Sequence, residues 1–259
     1  MAAFNNLKII SLDRSVPDNV VIEFDLPTEI KEQFKFHPGQ FVVVKYVVNG
    51  EEYKRSYSIS SSSVADVPLQ ITVKRVGMGI TSNFANDKLE LGNVLDVTTP
   101  RGKFCIELNP AAEKTYYLVA AGSGIAPMHS MIQSVLLAEP KSKICLLYGN
   151  RNDDTIIFGK ELLEFQKQNP ERLKINHVLS RQSAPLKLLQ NEKIWEGRIG
   201  EEVLKKYIDE YPLPADYKVF VCGPTEMNLA CKDIFNSFGL PKERVHIEFF
   251  GKIPGASTK

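Results

Sequence analysis

The sequence predicts two domains: an antiparallel β domain of six short strands, a small barrel or sandwich, followed by an α/β domain built on a parallel sheet. Three observations carry this prediction. The chain has 259 residues, a length that favours two cores over one. From residue 7 to about 108, short strand-like runs are separated by turn signals. After Asn109-Pro110 the rhythm changes, and fully apolar runs alternate with helix-length segments. The expected boundaries are 1–110 for the β domain, 111–250 for the α/β domain and 251–259 for a loose tail.

In the first domain the candidate strands are Leu7–Leu12, Val20–Phe24, Gln40–Val44, Leu69–Val73, Val94–Val97 and Lys103–Ile106. Turns are marked by Val16-Pro17-Asp18-Asn19, His37-Pro38-Gly39, Asn49-Gly50, Leu91-Gly92-Asn93 and Pro100-Arg101-Gly102. One segment breaks the pattern. Gly77 to Asn86 reads as a glycine turn entering a short helix, with Thr81 or Ser82 as its cap.

In the second domain, strands are expected at Tyr116–Ala121, Ile144–Tyr148, Lys174–Leu179, Tyr217–Cys222 and Arg244–Phe250. Helices are expected near 126–137, 160–168, 201–207 and 225–238.

Composition excludes several classes. Hydrophobic residues make up 43% and charged residues 24%, and the formal net charge is +1. Nothing recruits nucleic acid or an anionic membrane by bulk charge. No apolar stretch reaches membrane-spanning length, and the first residues show no basic region followed by an apolar run. Cys105, Cys145, Cys222 and Cys231 form no C-x-x-C pair and no iron–sulfur spacing. They read as buried thiols in a reducing cytoplasm. His37, His129, His177 and His246 are scattered without ligand spacing, so no metal site is expected. The sequence leaves the oligomeric state unassigned.

Four stretches carry chemistry. Arg55-Ser56-Tyr57-Ser58-Ile59-Ser60 falls at the end of a strand, where period-two geometry puts Arg55, Tyr57 and Ile59 on one face and the serines on the other. A guanidinium, an aromatic face and small hydroxyls suit a ligand with a phosphate at one end and a flat polar ring at the other. An ordinary strand with an exposed arginine is the other reading. Gly122-Ser123-Gly124-Ile125-Ala126-Pro127 joins a strand to a helix, as a pyrophosphate loop does, although the third glycine of G-x-G-x-x-G is missing. Cys222-Gly223-Pro224 ends another strand and opens a helix. Ser180-Arg181 ends a third, a pairing suited to a phosphate monoester such as the 2′-phosphate that separates NADP from NAD.

Taken in order, these stretches resemble the motifs of the ferredoxin–NADP reductase superfamily over nearly the whole chain. Arg55-x-Tyr57-Ser58 is similar to the flavin motif, and Gly79-Ile80-Thr81-Ser82-Asn83-Phe84 to the second flavin motif. Pro100-Arg101-Gly102-Lys103-Phe104 resembles the turn that closes the flavin barrel. Gly122–Pro127 resembles the nucleotide-pyrophosphate loop, and Cys222-Gly223-Pro224 the nicotinamide motif. The runs Val119–Met128, Leu146–Arg151 and Val219–Asn228 are most like reductase components of bacterial oxygenases. Those proteins usually carry a C-terminal [2Fe–2S] domain, and Lys259 falls where it would begin.

The resemblance implies a six-stranded flavin-binding β-barrel followed by a nucleotide-binding α/β domain, with FAD and NADPH as cofactors. It implies hydride transfer from NADPH to flavin N5, then one-electron transfer to a protein acceptor: a ferredoxin, a flavodoxin or an oxygenase component. On the flavin side, Arg55 would pair with the pyrophosphate, Tyr57 would pack on the flavin, and Ser58 would bond near N5. Val73 and Arg75 would lie along the next flavin strand, and Gly79, Thr81 and Ser82 would hold the pyrophosphate. On the nucleotide side, Gly122, Ser123, Gly124, Ile125 and Pro127 would line NADPH. Ser180 and Arg181, helped by Arg151, would hold its 2′-phosphate. Cys222, with Gly223 and Pro224, would face the nicotinamide. Glu248 sits where the family places an acidic residue, and Phe249-Phe250 would cover the flavin ring. The alternatives are an NADH-preferring relative, a free flavin reductase, and a non-catalytic protein that holds flavin within a larger electron-transfer complex.

Overall fold

The computed structural model describes residues 3–182, 184–190 and 192–250. The expected tail, 251–259, lies outside the described residues. The chain divides into two units, Met1–Leu108 with Ala126–Ala138, and Asn109–Ile125 with Glu139–Lys259.

The first unit holds β1 (Phe4–Asp13), β2 (Asn19–Phe24), β3 (Phe41–Val48), β4 (Glu51–Ser58), β5 (Leu69–Lys74) and β6 (Val94–Thr98). They form one antiparallel sheet in the order β4-β3-β6-β1-β2-β5. An antiparallel bridge between Ile59 and Ile71 joins the two ends of that order, so the sheet curls into a barrel. Alternate residues of β1, β2, β3, β5 and β6 point inward, and Leu7, Ile9, Ile22, Val42, Val44, Ile71 and Val97 fill the core.

Two details differ from the sequence reading. Lys103–Ile106 joins no ladder; Phe104 and Ile106 are buried, and the Ile106 N–H donates to the Pro38 carbonyl at 3.1 Å. The sixth strand is instead β4, whose sequence Glu-Glu-Tyr-Lys-Arg-Ser-Tyr-Ser lacks an apolar alternation because most of it faces solvent. Its position follows from the hairpin turn. Asn49 and Gly50 both take positive φ, 54° and 82°, the two-residue geometry that Asn-Gly favours. All eight residues of β4 then pair with β3, from Val48–Glu51 to Phe41–Ser58.

The short helix is present as α1 (Ile80–Asp87), but Gly79 rather than Thr81 or Ser82 stands at its N-cap. Ser82 lies inside the first turn, where its hydroxyl accepts from the Val76 N–H at 3.1 Å and donates to the Gly79 carbonyl at 3.2 Å.

The helix α2 (Ile125–Ala138) packs with the first unit over 126–138. The second unit holds β7 (Thr115–Ala121), β8 (Lys143–Asn150), α3 (Gly159–Gln168), β9 (Leu173–Leu179), β10 (Ile194–Glu196), α4 (Glu201–Glu210), β11 (Tyr217–Gly223), α5 (Thr225–Ser237) and β12 (Val245–Phe249). Its sheet is entirely parallel, in the order β10-β9-β8-β7-β11-β12. The three-residue β10 is too short to leave a periodic signal, and the sequence did not predict it. Val119, Leu147, Val178, Val219 and Val221 are buried within this unit, as strands covered on both faces require. The order reverses between β7 and β11, so the carboxyl ends of these two strands form the switch point where open α/β sheets bind ligands. No described helix is long and apolar enough to cross a membrane.

Candidate functional site

On the first unit, β4 puts Arg55 opposite Val44 and Tyr57 opposite Val42. Directly opposed residues share a face, so both side chains lie on the core side of the sheet. Near the strand end Tyr57 packs on the core, edge-on to Tyr46 with ring centroids 6.2 Å apart, and burial raises the pKa of its phenol. Arg55 is exposed. Its guanidinium donates to the Lys54 carbonyl at 2.8 Å and forms no ion pair among the described residues. An uncompensated guanidinium beside an aromatic ring is a fitting anchor for a phosphate joined to a flat ring. Ser58 is buried on the opposite face, opposed to Phe41.

Val73 lies in β5 and Arg75 just past its end. Val73 is 1% exposed, and its side chain belongs to the core. The Arg75 guanidinium makes a two-pronged bond to Asp87, at 2.6 and 2.8 Å, and also meets Asp18 and Asn83, each at 3.1 Å. The Asp87 bond is the main cause of its raised pKa. These bonds tie the exit of β5 to α1, so Arg75 holds the helix whose start carries Gly79, Thr81 and Ser82. A β-carbon on Gly79 would stand 2.5 Å from the Ser82 hydroxyl, so a larger residue there would push that hydroxyl off its turn bonds.

On the second unit, three glycines interlock at the switch point. Gly122 takes φ +53° and opens a 3₁₀ turn, Gly122–Gly124, that runs into α2. Tyr148 donates its hydroxyl to the Gly122 carbonyl at 3.1 Å. A β-carbon on Gly124 would lie 2.0 Å from the Cys222 carbonyl oxygen, and one on Gly223 would lie 3.3 Å from the Ala121 nitrogen. Bare backbone at both strand ends is the cradle a pyrophosphate and a planar ring need. Ser123 is half-buried, whereas Ile125 and Pro127 are buried.

Cys222 is 0% exposed, and burial, then the nearby Glu248, pushes its thiol well up, so it stays neutral. Glu248 is its register partner on β12, and burial raises that carboxyl too. Pro224 forms the N-cap of α5. Phe249 is half-buried and Phe250 exposed at the end of the described residues.

The ends of β8 and β9 bring two arginines together. The Arg181 N–H donates to the Arg151 carbonyl at 2.7 Å, and the Ser180 N–H to the Asn150 carbonyl at 3.1 Å. Both arginines are exposed.

Two supporting residues escaped the sequence reading. Asn228, 0% exposed, donates through Nδ2 to the Gly223 carbonyl at 3.2 Å and the Glu248 carbonyl at 2.7 Å. Its signal was a polar residue on the helix face that also carries Cys231 and Phe235, at helical spacing. Buried Asp153 accepts the N–H groups of Lys187, Leu188 and Leu189 at 2.6, 2.7 and 3.1 Å, pinning the segment that follows Arg181. No local pattern marks it.

Residues 6–106 match the oxidoreductase FAD-binding domain family, and residues 118–233 the oxidoreductase NAD-binding domain family. The chain is 30% identical over 260 residues to a component of the 1,2-phenylacetyl-CoA epoxidase of Escherichia coli, covering 100% of this chain and 71% of that one. It is 34% identical over 255 residues to the ferredoxin reductase component of 3-ketosteroid-9-alpha-monooxygenase from Mycobacterium tuberculosis, covering 96% of this chain and 64% of that one. The chain thus spans 64% to 71% of the length of these curated relatives. In fold it is similar to a ferredoxin NADP+ reductase from Neisseria gonorrhoeae solved with FAD and NADP, with TM-score 0.78, 19% identity, and 96% and 99% of the two chains covered.

Proposed function

The chain belongs to the ferredoxin–NADP reductase superfamily of FAD- and pyridine-nucleotide-binding oxidoreductases, and from that premise we propose that it passes electrons from NADPH through FAD to the protein acceptor of an oxygenase system. The observation that carries the proposal is the seat of Gly124 on the Cys222–Gly223 peptide, which brings two strand ends into backbone contact at the switch point.

When held by Arg55, Tyr57 and Ser58, FAD would supply hydride acceptance from the nicotinamide and one-electron release to the acceptor. The residues of the chain bind, orient and exclude water. Arg55 neutralises a flavin phosphate, Tyr57 supplies a packing face, and Ser58 offers a hydroxyl at the ring. Gly122, Ser123 and Gly124 let the nucleotide pyrophosphate approach backbone. The neutral, buried Cys222 thiol backs the nicotinamide end of the site and keeps it dry. Glu248, whose carboxyl pKa is raised by burial, lies in register with Cys222 at the strand ends beside the nicotinamide site. Arg151, Ser180 and Arg181 recognise the 2′-phosphate, which is the basis for naming NADPH over NADH. An oxygenase acceptor rests on the similarity to the ferredoxin reductase component of a monooxygenase. Cys145, Cys222 and Cys231 are buried thiols, which fits a reducing cytoplasm.

The deciding experiment is an anaerobic visible spectrum of the protein before and after one equivalent of NADPH. A yellow protein that bleaches supports the whole reading. Bleaching with NADH but not NADPH removes the 2′-phosphate assignment. A protein that takes up no FAD overturns the proposal.

A further inference from the structure

Helix α2 carries a polar edge that the proposed chemistry has not used. His129, Gln133 and Ser134 all meet the segment Ser60–Ser63, which directly follows the flavin motif. The Ser60 carbonyl oxygen lies 2.9 Å from His129 Nδ1 and accepts from Gln133 Nε2 at 3.1 Å. A carbonyl only accepts, so the His129 bond needs the imidazole proton on Nδ1; Gln133 Nε2, itself 2.9 Å from that nitrogen, then gives its proton to the same carbonyl. Ser134 Oγ accepts the Ser63 N–H at 2.9 Å. His129 is 4% exposed, so the bond is shielded from water, where a missing donor costs most.

These bonds complete the restraint of the main chain next to Ser58. The Ile59 N–H donates to the Gln40 carbonyl at 2.9 Å, and the Ser60 N–H to the Gln70 carbonyl at 2.8 Å. Those two bonds hold the donor side of the turn out of β4. His129 and Gln133 hold the acceptor side.

We propose that His129 is a positioning residue: with Gln133 it fixes the Ser60 carbonyl, and through the two intervening peptide units it fixes the Ser58 hydroxyl against the bound flavin ring. This inference rests on the flavin reading of Arg55–Ser58. His129 touches no cofactor; it acts through Ser60.

The test is a double-mutant cycle in the FAD-loaded protein. His129→Leu keeps the bulk and removes the donor. It should bind FAD to full occupancy, shift the flavin visible band in the same sense as Ser58→Ala, and slow flavin reduction at saturating NADPH about tenfold with the nucleotide KM unchanged. His129→Asn returns an amide donor to the Nδ1 position and should restore the rate to within about threefold. In a Ser58→Ala background His129→Leu should cost almost nothing further, because the two act as one unit. Gln133→Leu, which removes the second donor to the same oxygen, is the milder variant if His129→Leu does not accumulate, and should show the same pattern at about threefold. An unshifted band with a wild-type rate, or a full extra loss in the Ser58→Ala background, overturns the positioning role. Absence of FAD binding in the wild-type protein overturns it together with the function on which it rests.

Discussion

Gly124 rests on the carbonyl of Cys222 so closely that a β-carbon would stand 2.0 Å from its oxygen and 2.5 Å from its carbon. No rotamer relieves such a clash, because the obstacle is backbone. In Gly124→Ala the start of α2 must move away from the end of β11. The expected result is a rise in nucleotide KM and at least a tenfold loss, roughly, of NADPH-driven flavin reduction, with FAD content retained. Stopped-flow reduction alongside the flavin-to-protein absorbance ratio measures both. Unchanged kinetics would show that the loop is only a turn.

Arg181 and Arg151 meet through a backbone bond between adjacent strand ends, and both guanidiniums are exposed. Removing one charge-assisted phosphate bond costs about 1.5–3 kcal/mol. Arg181→Ala should therefore lower kcat/KM for NADPH about tenfold to a hundredfold and leave that for NADH nearly unchanged. Steady-state assays with the two nucleotides give the ratio. A ratio that does not move refutes the 2′-phosphate assignment.

Asn228 joins β11 to β12 by donating to one carbonyl on each. Asn228→Leu strands two acceptors and should lower stability by about 1–3 kcal/mol, read as a shift in the urea midpoint. The same variant should slow hydride transfer, since Cys222 and Glu248 lie in register across those strands. A stable variant with full activity would make Asn228 an ordinary helix residue.

Burial holds His129 and His177 down to about 4, against about 6.5 in the unfolded chain. Between those values the unfolded state binds more protons than the folded state. Their stabilising contribution is therefore present above the unfolded pKa and is lost as pH falls toward 4. Asp87, lowered mainly by its Arg75 bond, acts in the same direction. Glu248, raised by burial, opposes it in the acid limb. Melting temperature should fall steadily from pH 7 to pH 4, and His177→Leu should shrink the decline. A flat profile would contradict the buried, neutral state of both rings.

Much of the architecture is written in local pattern. Period-two runs mark β1, β2, β3, β5 and β6, and apolar runs alternating with helical segments mark the parallel sheet. Asn49-Gly50 announces the β3–β4 turn and Arg55–Ser60 reads as a strand end, yet the first half of β4 was not legible because its residues mostly face solvent and carry no apolar alternation. Lys103–Ile106 has the opposite character: apolar enough to read as a strand, it buries Phe104 and Ile106 but joins no strand ladder. Burial and strand pairing are separate demands, and local hydrophobicity reports only the first.

Local sequence therefore specifies the two-part fold and the loops that carry Arg55, Gly122–Pro127, Ser180-Arg181 and Cys222–Pro224, since turn chemistry and periodicity act over a few residues. Which of these groups meet is settled by tertiary packing. It seats Gly124 on Cys222, sets Arg151 beside Arg181, gives Arg75 to Asp18 and Asp87, and brings His129 to the Ser60 carbonyl. Each of those meetings depends on strand order and register between segments distant in the chain. Register is set by the packing of whole faces, which no short window of sequence contains.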